Sequence, residues 1–329
     1  MKGKMGFVGL GVGMLVLTGC GKSGERVETA KTPVTPKAIR IAVIPKGTTH
    51  VFWRSVEAGA KRAGKELGVE IIWKGPLKED DRGQQIGLVE QFVSEGVAGI
   101  VLAPLDATAL AEPVRGAAAK NIPVVIFDSS IKGEAGRDFV SFVATDNRKA
   151  GAVGGEELAR LLGGKGKVVL LRYAVGSAST EEREKGFMEA IAKHSGIELI
   201  EKDRYGGATV GEAQKNAENL LDKLRQANGV FCPNESTTQG MLNVLRDNGL
   251  AGKVVFVGFD TSPNLIAALQ AGEIRALVAQ NPTRMGTVAV QTIVARIRNQ
   301  PVEAVIDTGC GLVTLANLDT PEMKQLLGR

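Results

Sequence analysis

The sequence predicts an α/β protein made of two doubly wound, parallel-sheet domains. Three observations carry this reading. The chain has 329 residues, too many for one core at about 100–200 residues per domain. From Ile39 onward, short apolar runs alternate with helical stripes, as expected for parallel strands covered by helices on both faces. Hydrophobic residues make up 43%, charged residues 23% and aromatics only 4%, with 42 glycines. Those proportions exclude a disordered chain and a multi-span membrane protein, and small side chains suit close packing of helix on sheet.

Each element follows from a local pattern. Residues 39–45 are a short apolar run, read as a buried strand. Residues 52–67 set Val56, Ala60, Ala63 and Leu67 on one face, an amphipathic helix. Strand 69–74, helix 81–95, strand 99–103, helix 107–120, strand 123–127 and strand 140–145 complete the first half. The alternation restarts with helix 148–162, strand 167–171, helix 179–194, strand 197–203 and helix 210–225. Strand 229–233, helix 235–248, strand 254–259, helix 263–271, strand 274–280, helix 283–299 and an extended tail over 304–316 follow.

The N-terminus reads as an address. Met1-Lys2-Gly3-Lys4 is basic, and residues 5–18 are apolar or glycine until the last. The run is shorter than the roughly 20 residues of a membrane-spanning helix and fits a secretory signal over 1–19. It ends Leu17-Thr18-Gly19-Cys20, which resembles a bacterial lipobox. Lipidation of Cys20 is expected, and acyl chains anchor a protein to a membrane. Residues 20–37 are polar with Pro33 and Pro36, a flexible tether. The expected location is the periplasm or the outer cell surface. Gly9-Leu10-Gly11-Val12-Gly13 has the wrong spacing for a dinucleotide loop, and Val16 replaces the first glycine of a P-loop ending Gly21-Lys22-Ser23.

Composition narrows the function further. The 41 basic and 36 acidic residues are mixed along the chain, so no nucleic-acid footprint is expected. Two histidines and three cysteines leave little for a metal centre, and neither a metal nor a cofactor is expected. Ligands of open parallel sheets bind beyond the carboxyl ends of the strands. There the chain places Lys46, His50, Phe52, Trp53, Asp128, Ser129, Arg183, Asn234, Glu235, Asp260 and Gln280. Sugar hydroxyls both donate and accept, which suits carboxylates, amides and a guanidinium, and ring C–H faces pack on aromatics. No serine–histidine pairing supplies a catalytic residue, so a binding protein is expected, not an enzyme. Asp260 and Asn234 could instead cap helices, and Asp128 could be a turn residue.

Four motifs now point to a family. They are Val257-Gly258-Phe259-Asp260, Ala279-Gln280-Asn281-Pro282, Thr145-Asp146-Asn147, and Arg183 three residues before Gly186-Phe187. With these the chain, over about residues 38–313, resembles the periplasmic sugar-binding proteins of the ribose/galactose type. These are substrate-binding components of ABC importers and share the effector fold of the lactose-repressor family. The resemblance implies a type I periplasmic binding protein fold with two lobes, 38–145 plus 281–309 and 146–280 plus 310–329. It also implies three crossings, near Thr145-Asp146, Gln280–Pro282 and Thr308–Gly311. Phe52 and Trp53 match the aromatics that sandwich the ring. Asp128, Arg183, Asn234, Asp260 and Gln280 match polar ligand contacts.

Departures point elsewhere in part. His50-Val51-Phe52-Trp53 replaces the usual Asn-Pro-Phe-Phe, Ser129 replaces an arginine, and Tyr205 is the best candidate for a further aromatic. Ile44-Pro45-Lys46, Gly75-Pro76 and Asp128-Ser129 resemble the rhamnose and furanosyl quorum-signal binders, where the lysine matching Lys46 contacts ligand. The expected partners are a monosaccharide, an ABC permease with its ATPase, and a membrane reached through Cys20; the body is expected to be a monomer. The alternative is a polyol or furanosyl quorum signal feeding a sensor or chemoreceptor. A Cys232–Cys310 bridge is open. A transcription regulator would need a DNA-binding motif ahead of Ile39, and an enzyme would need a phosphate loop or nucleophile elbow.

Overall fold

The computed structural model describes residues 38–327, together with Gly11. The signal, Cys20 and the tether, Gly11 apart, lie outside the described residues.

The first half contains β1 (Arg40–Ile44), α1 (Val51–Leu67), β2 (Glu70–Trp73), α2 (Arg82–Glu95), β3 (Gly99–Leu102), α3 (Ala111–Ala119), β4 (Val124–Phe127) and β5 (Ser141–Ala144). The second begins with α4 (Asn147–Leu161), β6 (Lys165–Leu170), α5 (Ala178–Ala192), β7 (Gly196–Glu201), α6 (Val210–Glu218) and α7 (Leu221–Leu224). It continues through β8 (Gly229–Phe231), α8 (Glu235–Asp247), β9 (Val255–Phe259), α9 (Pro263–Gln270) and β10 (Ala276–Gln280). Helix α10 (Pro282–Ile297), strands β11 (Val305–Asp307) and β12 (Cys310–Thr314), and α11 (Pro321–Leu326) close the chain.

Two six-stranded sheets result, ordered β11-β5-β4-β3-β1-β2 and β12-β10-β9-β8-β6-β7. Alternation along β1 sends Ile41 and Val43 to one core and Ala42 and Ile44 to the other, so both faces of the first sheet are covered. The second sheet is covered likewise, with Val169 on one face and Val168 and Leu170 on the other. The first sheet is parallel throughout. The second departs from the all-parallel expectation, because β12 runs antiparallel to β10. The tail read as simply extended is two strands, one on the edge of each sheet, followed by α11.

The expected helix over 210–225 is broken in two. Leu220 leaves the helical region at φ −102°, ψ 7° and turns into the core beside Leu224. The first part starts on a capping box, with the Thr209 hydroxyl accepting from the Glu212 amide and the Glu212 carboxylate accepting from the Thr209 amide.

The chain passes between sheets three times, from β5 to α4, from β10 to α10 and from β11 to β12. These passages lie side by side. Thr145 Oγ1 donates to Gln280 Oε1 at 3.1 Å and to the Gly309 carbonyl at 3.4 Å. The Thr308 amide donates to the Ala144 carbonyl at 2.9 Å, and Gln280 pairs with Cys310 in register. Cys232 and Cys310 are free thiols, so no bridge joins them.

Glycines let helices meet backbone to backbone. A Cβ on Gly59 of α1 would lie 2.1 Å from the Thr283 carbonyl oxygen, and one on Gly286 of α10 would lie 2.1 Å from that of Val56. The second sheet repeats the device, with Gly151 of α4 against the Arg183 carbonyl and Gly186 of α5 against that of Arg148. Because backbone cannot yield as a side chain does, Gly59→Ala and Gly286→Ala should each cost about 1–3 kcal/mol. Urea unfolding checks this, and unchanged midpoints would show that the helices separate freely.

Candidate functional site

The strand-end rule brings residues of both lobes into one cleft. Lys46, His50, Phe52, Trp53, Glu79 and Asp128 line it from the first lobe, and Tyr173, Ser179, Thr180, Arg183, Asn234, Glu235, Asp260 and Gln280 from the second. The lobes are shut on one another, and the cleft encloses about 30 Å³, too little for a sugar ring without opening. A wider concavity of about 770 Å³ lies at the other end of the first sheet, where Ala98, Pro123 and Val140 precede β3, β4 and β5. That is the amino-terminal end of the strands, opposite to where such sheets hold ligands.

On the first lobe, Lys46 follows β1 in a loop held by Gln85. The Gln85 amide donates to the Pro45 and Ala103 carbonyls at 3.0 and 2.8 Å and accepts from the Leu105 amide at 2.8 Å. Lys46 is 3% exposed. Its ammonium lies 3.1 Å from Asp128 and donates across the cleft to Ser179 Oγ at 2.9 Å and Ser177 Oγ at 3.3 Å. Its three donors are thus used in full.

His50 precedes α1, and its Nδ1 lies 2.6 Å from Glu79 Oε1. The same carboxylate accepts from Trp53 Nε1 at 2.6 Å and, across the cleft, from the Tyr173 hydroxyl at 2.8 Å. Burial disfavours the His50 imidazolium, but the Glu79 carboxylate outweighs it, with help from Glu235 and Asp260, and raises the pKa to about 9. Burial likewise opposes the Glu79 carboxylate, and His50 and Lys46 overcome it, lowering that pKa to about 2. Burial first, and then Glu79, hold the Tyr173 phenol well above its ordinary value, so it remains a donor.

The second lobe centres on Arg183, which is 2% exposed. Its Nε donates to Asn147 Oδ1 at 2.7 Å, and its terminal nitrogens donate to the Pro233 carbonyl at 3.0 Å and Gln280 Oε1 at 2.9 Å. Its guanidinium stacks 4.1 Å from the centre of the Phe259 ring. It is therefore not a surface partner of Glu181 or Glu182; Glu182 pairs with Arg148 and Lys185. Gln280 donates to Asp260 Oδ1 at 2.8 Å. Burial raises the Asp260 pKa to about 6, against the opposing pull of Arg183 and the Gln280 hydrogen bond.

Asp128 and Asp260 occupy matching places, after β4 and β9, and both have positive φ, 61° and 68°. Left-handed backbone is unusual outside glycine and costs free energy, so its recurrence at two cleft carboxylates is a functional signal. Asp260 caps no helix of its own, since Ser262 precedes α9; its Oδ2 accepts from the Glu235 amide at 2.9 Å. Asn234 does cap α8, with its side chain accepting from the Thr237 amide at 3.2 Å and the Thr237 hydroxyl at 2.6 Å.

Two aromatic expectations are corrected. Phe52 and Trp53 do not form parallel walls; their rings meet edge to face at 84°, centroids 4.9 Å apart. Trp53 is 3% exposed and packs edge-on to Phe127 in the core, because adjacent helical residues diverge by about 100°. Tyr205 does not line the cleft; it stacks on Arg172, 4.6 Å from the ring centre. The aromatic that reaches the cleft from the second lobe is Tyr173, held where buried Glu184 accepts from its amide at 2.9 Å and from Arg172 Nε at 2.6 Å. Sequence reasoning also missed Glu79. The strand-end rule applied to the first residues after β6 reaches Tyr173 without separating it from Tyr205, and Glu79 lies six residues beyond β2.

Two α/β lobes that shut on a cleft lined with hydrogen-bonding groups define a solute-binding protein. The sequence profile described as a periplasmic binding protein domain matches residues 41–301, and the chain belongs to this family, with its type I fold. It is 32% identical over 262 residues to the D-allose-binding periplasmic protein of Escherichia coli, covering 78% of this chain and 84% of that one. A carbohydrate transporter solute-binding protein of Agrobacterium radiobacter, solved with D-arabinose, superposes with a TM-score of 0.84 at 32% identity, over 89% of this chain and 99% of that one. An ABC transporter solute-binding protein of Agrobacterium vitis with bound D-fucose gives 0.83 at 34% identity, over 87% and 98%.

The pH dependence of stability follows from the His50–Glu79 pair. The His50 pKa is raised from 6.5, so its contribution is complete below about pH 6.5 and is lost as pH rises through about 9. The Glu79 pKa is lowered from 4.5, so its contribution is complete above about pH 4.5 and is lost toward pH 2. Asp260, raised from 3.8, changes stability only between about pH 4 and 6, in the opposite sense to Glu79. The melting temperature should therefore fall between pH 6.5 and 9, and His50→Gln should remove most of that fall. An equal alkaline decline in both proteins would locate the transition elsewhere.

Proposed function

We propose that the protein captures a neutral monosaccharide between its lobes and delivers it to an ABC permease. The observation that carries this reading is the convergence of Asp128, Asp260, Lys46, His50, Arg183 and Gln280, beside Phe52, in one cleft fed by both lobes. The sugars named for relatives and structural neighbours support the ligand class. Opening would free Lys46 from Ser177 and Ser179, and Glu79 from Tyr173. Ligand hydroxyls could then donate to the carboxylates and accept from Lys46, His50 and Arg183. Phe52 and Trp53, which both line the cleft, are the aromatics proposed to meet the C–H face of the ring, edge to face with one another rather than as a sandwich.

The polar contacts in this proposal are Lys46, His50, Asp128, Arg183, Asn234, Asp260 and Gln280, and the lobes follow the divisions at 145/146, 280/281 and 309/310. A furanosyl or polyol ligand is the second reading. Lys46 seated on Asp128, with the short Ser129 beside it, favours that reading. Delivery outside the cytoplasm, with acylated Cys20 as the anchor, completes the proposal.

A thermal-shift screen of pentoses, hexoses, deoxysugars, polyols and the furanosyl quorum signal tests the ligand class. A ligand at 100 times its dissociation constant stabilises by about 2.7 kcal/mol. A shift of several degrees with one stereoisomer is expected, and a flat response across the panel would sink the sugar reading. Asp260→Ala should weaken binding of the responding sugar by about 2–5 kcal/mol, because it leaves a buried partner unpaired; unchanged affinity removes Asp260 from the site. Cys20→Ser should move the protein from the membrane fraction to the soluble fraction, and retention in the membrane would overturn the anchor.

A further inference from the structure

Two of the helix N-termini that face the cleft are served by the opposite lobe. The first turn of a helix leaves amides without intrahelical partners. At α1, His50 makes no side-chain cap. The amides of Val51 and Phe52 instead donate to the two carboxylate oxygens of Glu235, from the second lobe, at 3.1 and 3.0 Å. At α5, Ser177 makes no side-chain cap. The Ser179 amide donates to Ser129 Oγ, from the first lobe, at 3.0 Å.

We propose that Glu235 and Ser129 form a reciprocal clamp, each capping the other lobe's helix only when the lobes are shut, and so set the closure equilibrium. A carboxylate at a helix N-terminus gains both from the dipole and from charge-assisted hydrogen bonds. Both are lost on opening, when water replaces the partners. Glu235 is poised for this because its own amide is tied to Asp260 Oδ2. The seam just ahead of Ser177 is equally close. Arg82 donates to the Val175 carbonyl at 2.8 Å, the Ala107 amide donates to the Gly176 carbonyl at 3.2 Å, and a Cβ on Gly176 would lie 2.3 Å from Asp106 Oδ2. If the ligand-capture reading above holds, apparent affinity scales with the fraction of molecules able to close. Glu235 and Ser129 then tune affinity through closure.

Amide hydrogen exchange on the full chain, without any sugar, tests the clamp independently of the ligand's identity. Glu235→Gln should speed exchange at 51–52 about tenfold, the factor to which one charge-assisted hydrogen bond converts. It should also speed exchange at Ser179, which Glu235 does not touch, and Ser129→Ala should speed exchange at 51–52 in return. Peptides from β9 should be unchanged, showing that the lobes remain folded. If each substitution affects only the helix it caps, the two are local caps and the clamp is overturned. No change at either helix overturns it as well.

Discussion

Charge taken out of water must be met by opposite charge or hydrogen bonds, and in this cleft part of that meeting happens between lobes. Lys46 stands on Asp128 but also needs Ser177 and Ser179. Glu79 stands on His50 but also takes Tyr173. Arg183, by contrast, is met wholly within its own lobe and the adjoining crossing, by Asn147, Pro233 and Gln280, as Glu184 is by Arg172 and the Tyr173 amide. The first lobe therefore exposes charges that are incompletely served when it stands alone. A partner rich in hydroxyls can serve them as well as the second lobe does.

The two lobes reach this cleft by the same construction. Each has its first strand in the interior of the sheet, with the second strand on one side and the third on the other. Each sends an aspartate into left-handed backbone after the corresponding strand. Each fastens a helix pair through mutual glycines, α1 with α10 and α4 with α5. In the second lobe that contact falls on the backbone of Arg183 itself, so helix packing and placement of the guanidinium are one event.

Much of the architecture was legible because buried strands leave apolar runs and their covering helices leave stripes. The strand-end rule likewise collected Lys46, His50, Asp128, Arg183, Asn234, Asp260 and Gln280, which the structure brings together. What stayed hidden depends on direction or on distant partners. Nothing local says that Trp53 packs into the core while its indole nitrogen reaches Glu79 at the cleft. Glu79 lies six residues past β2 and looks like any solvated loop acid until His50, Trp53 and Tyr173 converge on it. Tyr205 and Tyr173 are chemically equal candidates, separated only by the Arg172–Glu184 pair that seats one and covers the other. The break at Leu220 and the reversal of β12 are likewise tertiary outcomes, set by a core position and a sheet edge.

The three passages between sheets are laced to one another by Thr145, Gln280, Thr308 and Cys310. A flat ribbon of three connected strips bends easily across its width but resists twisting and sideways slip, because those distortions shear every lacing bond together. Bending at the passages is then the motion of the lobes that spares the lacing. Whatever enters the cleft is enclosed along that bend, so molecules of different shape would all meet the same gesture.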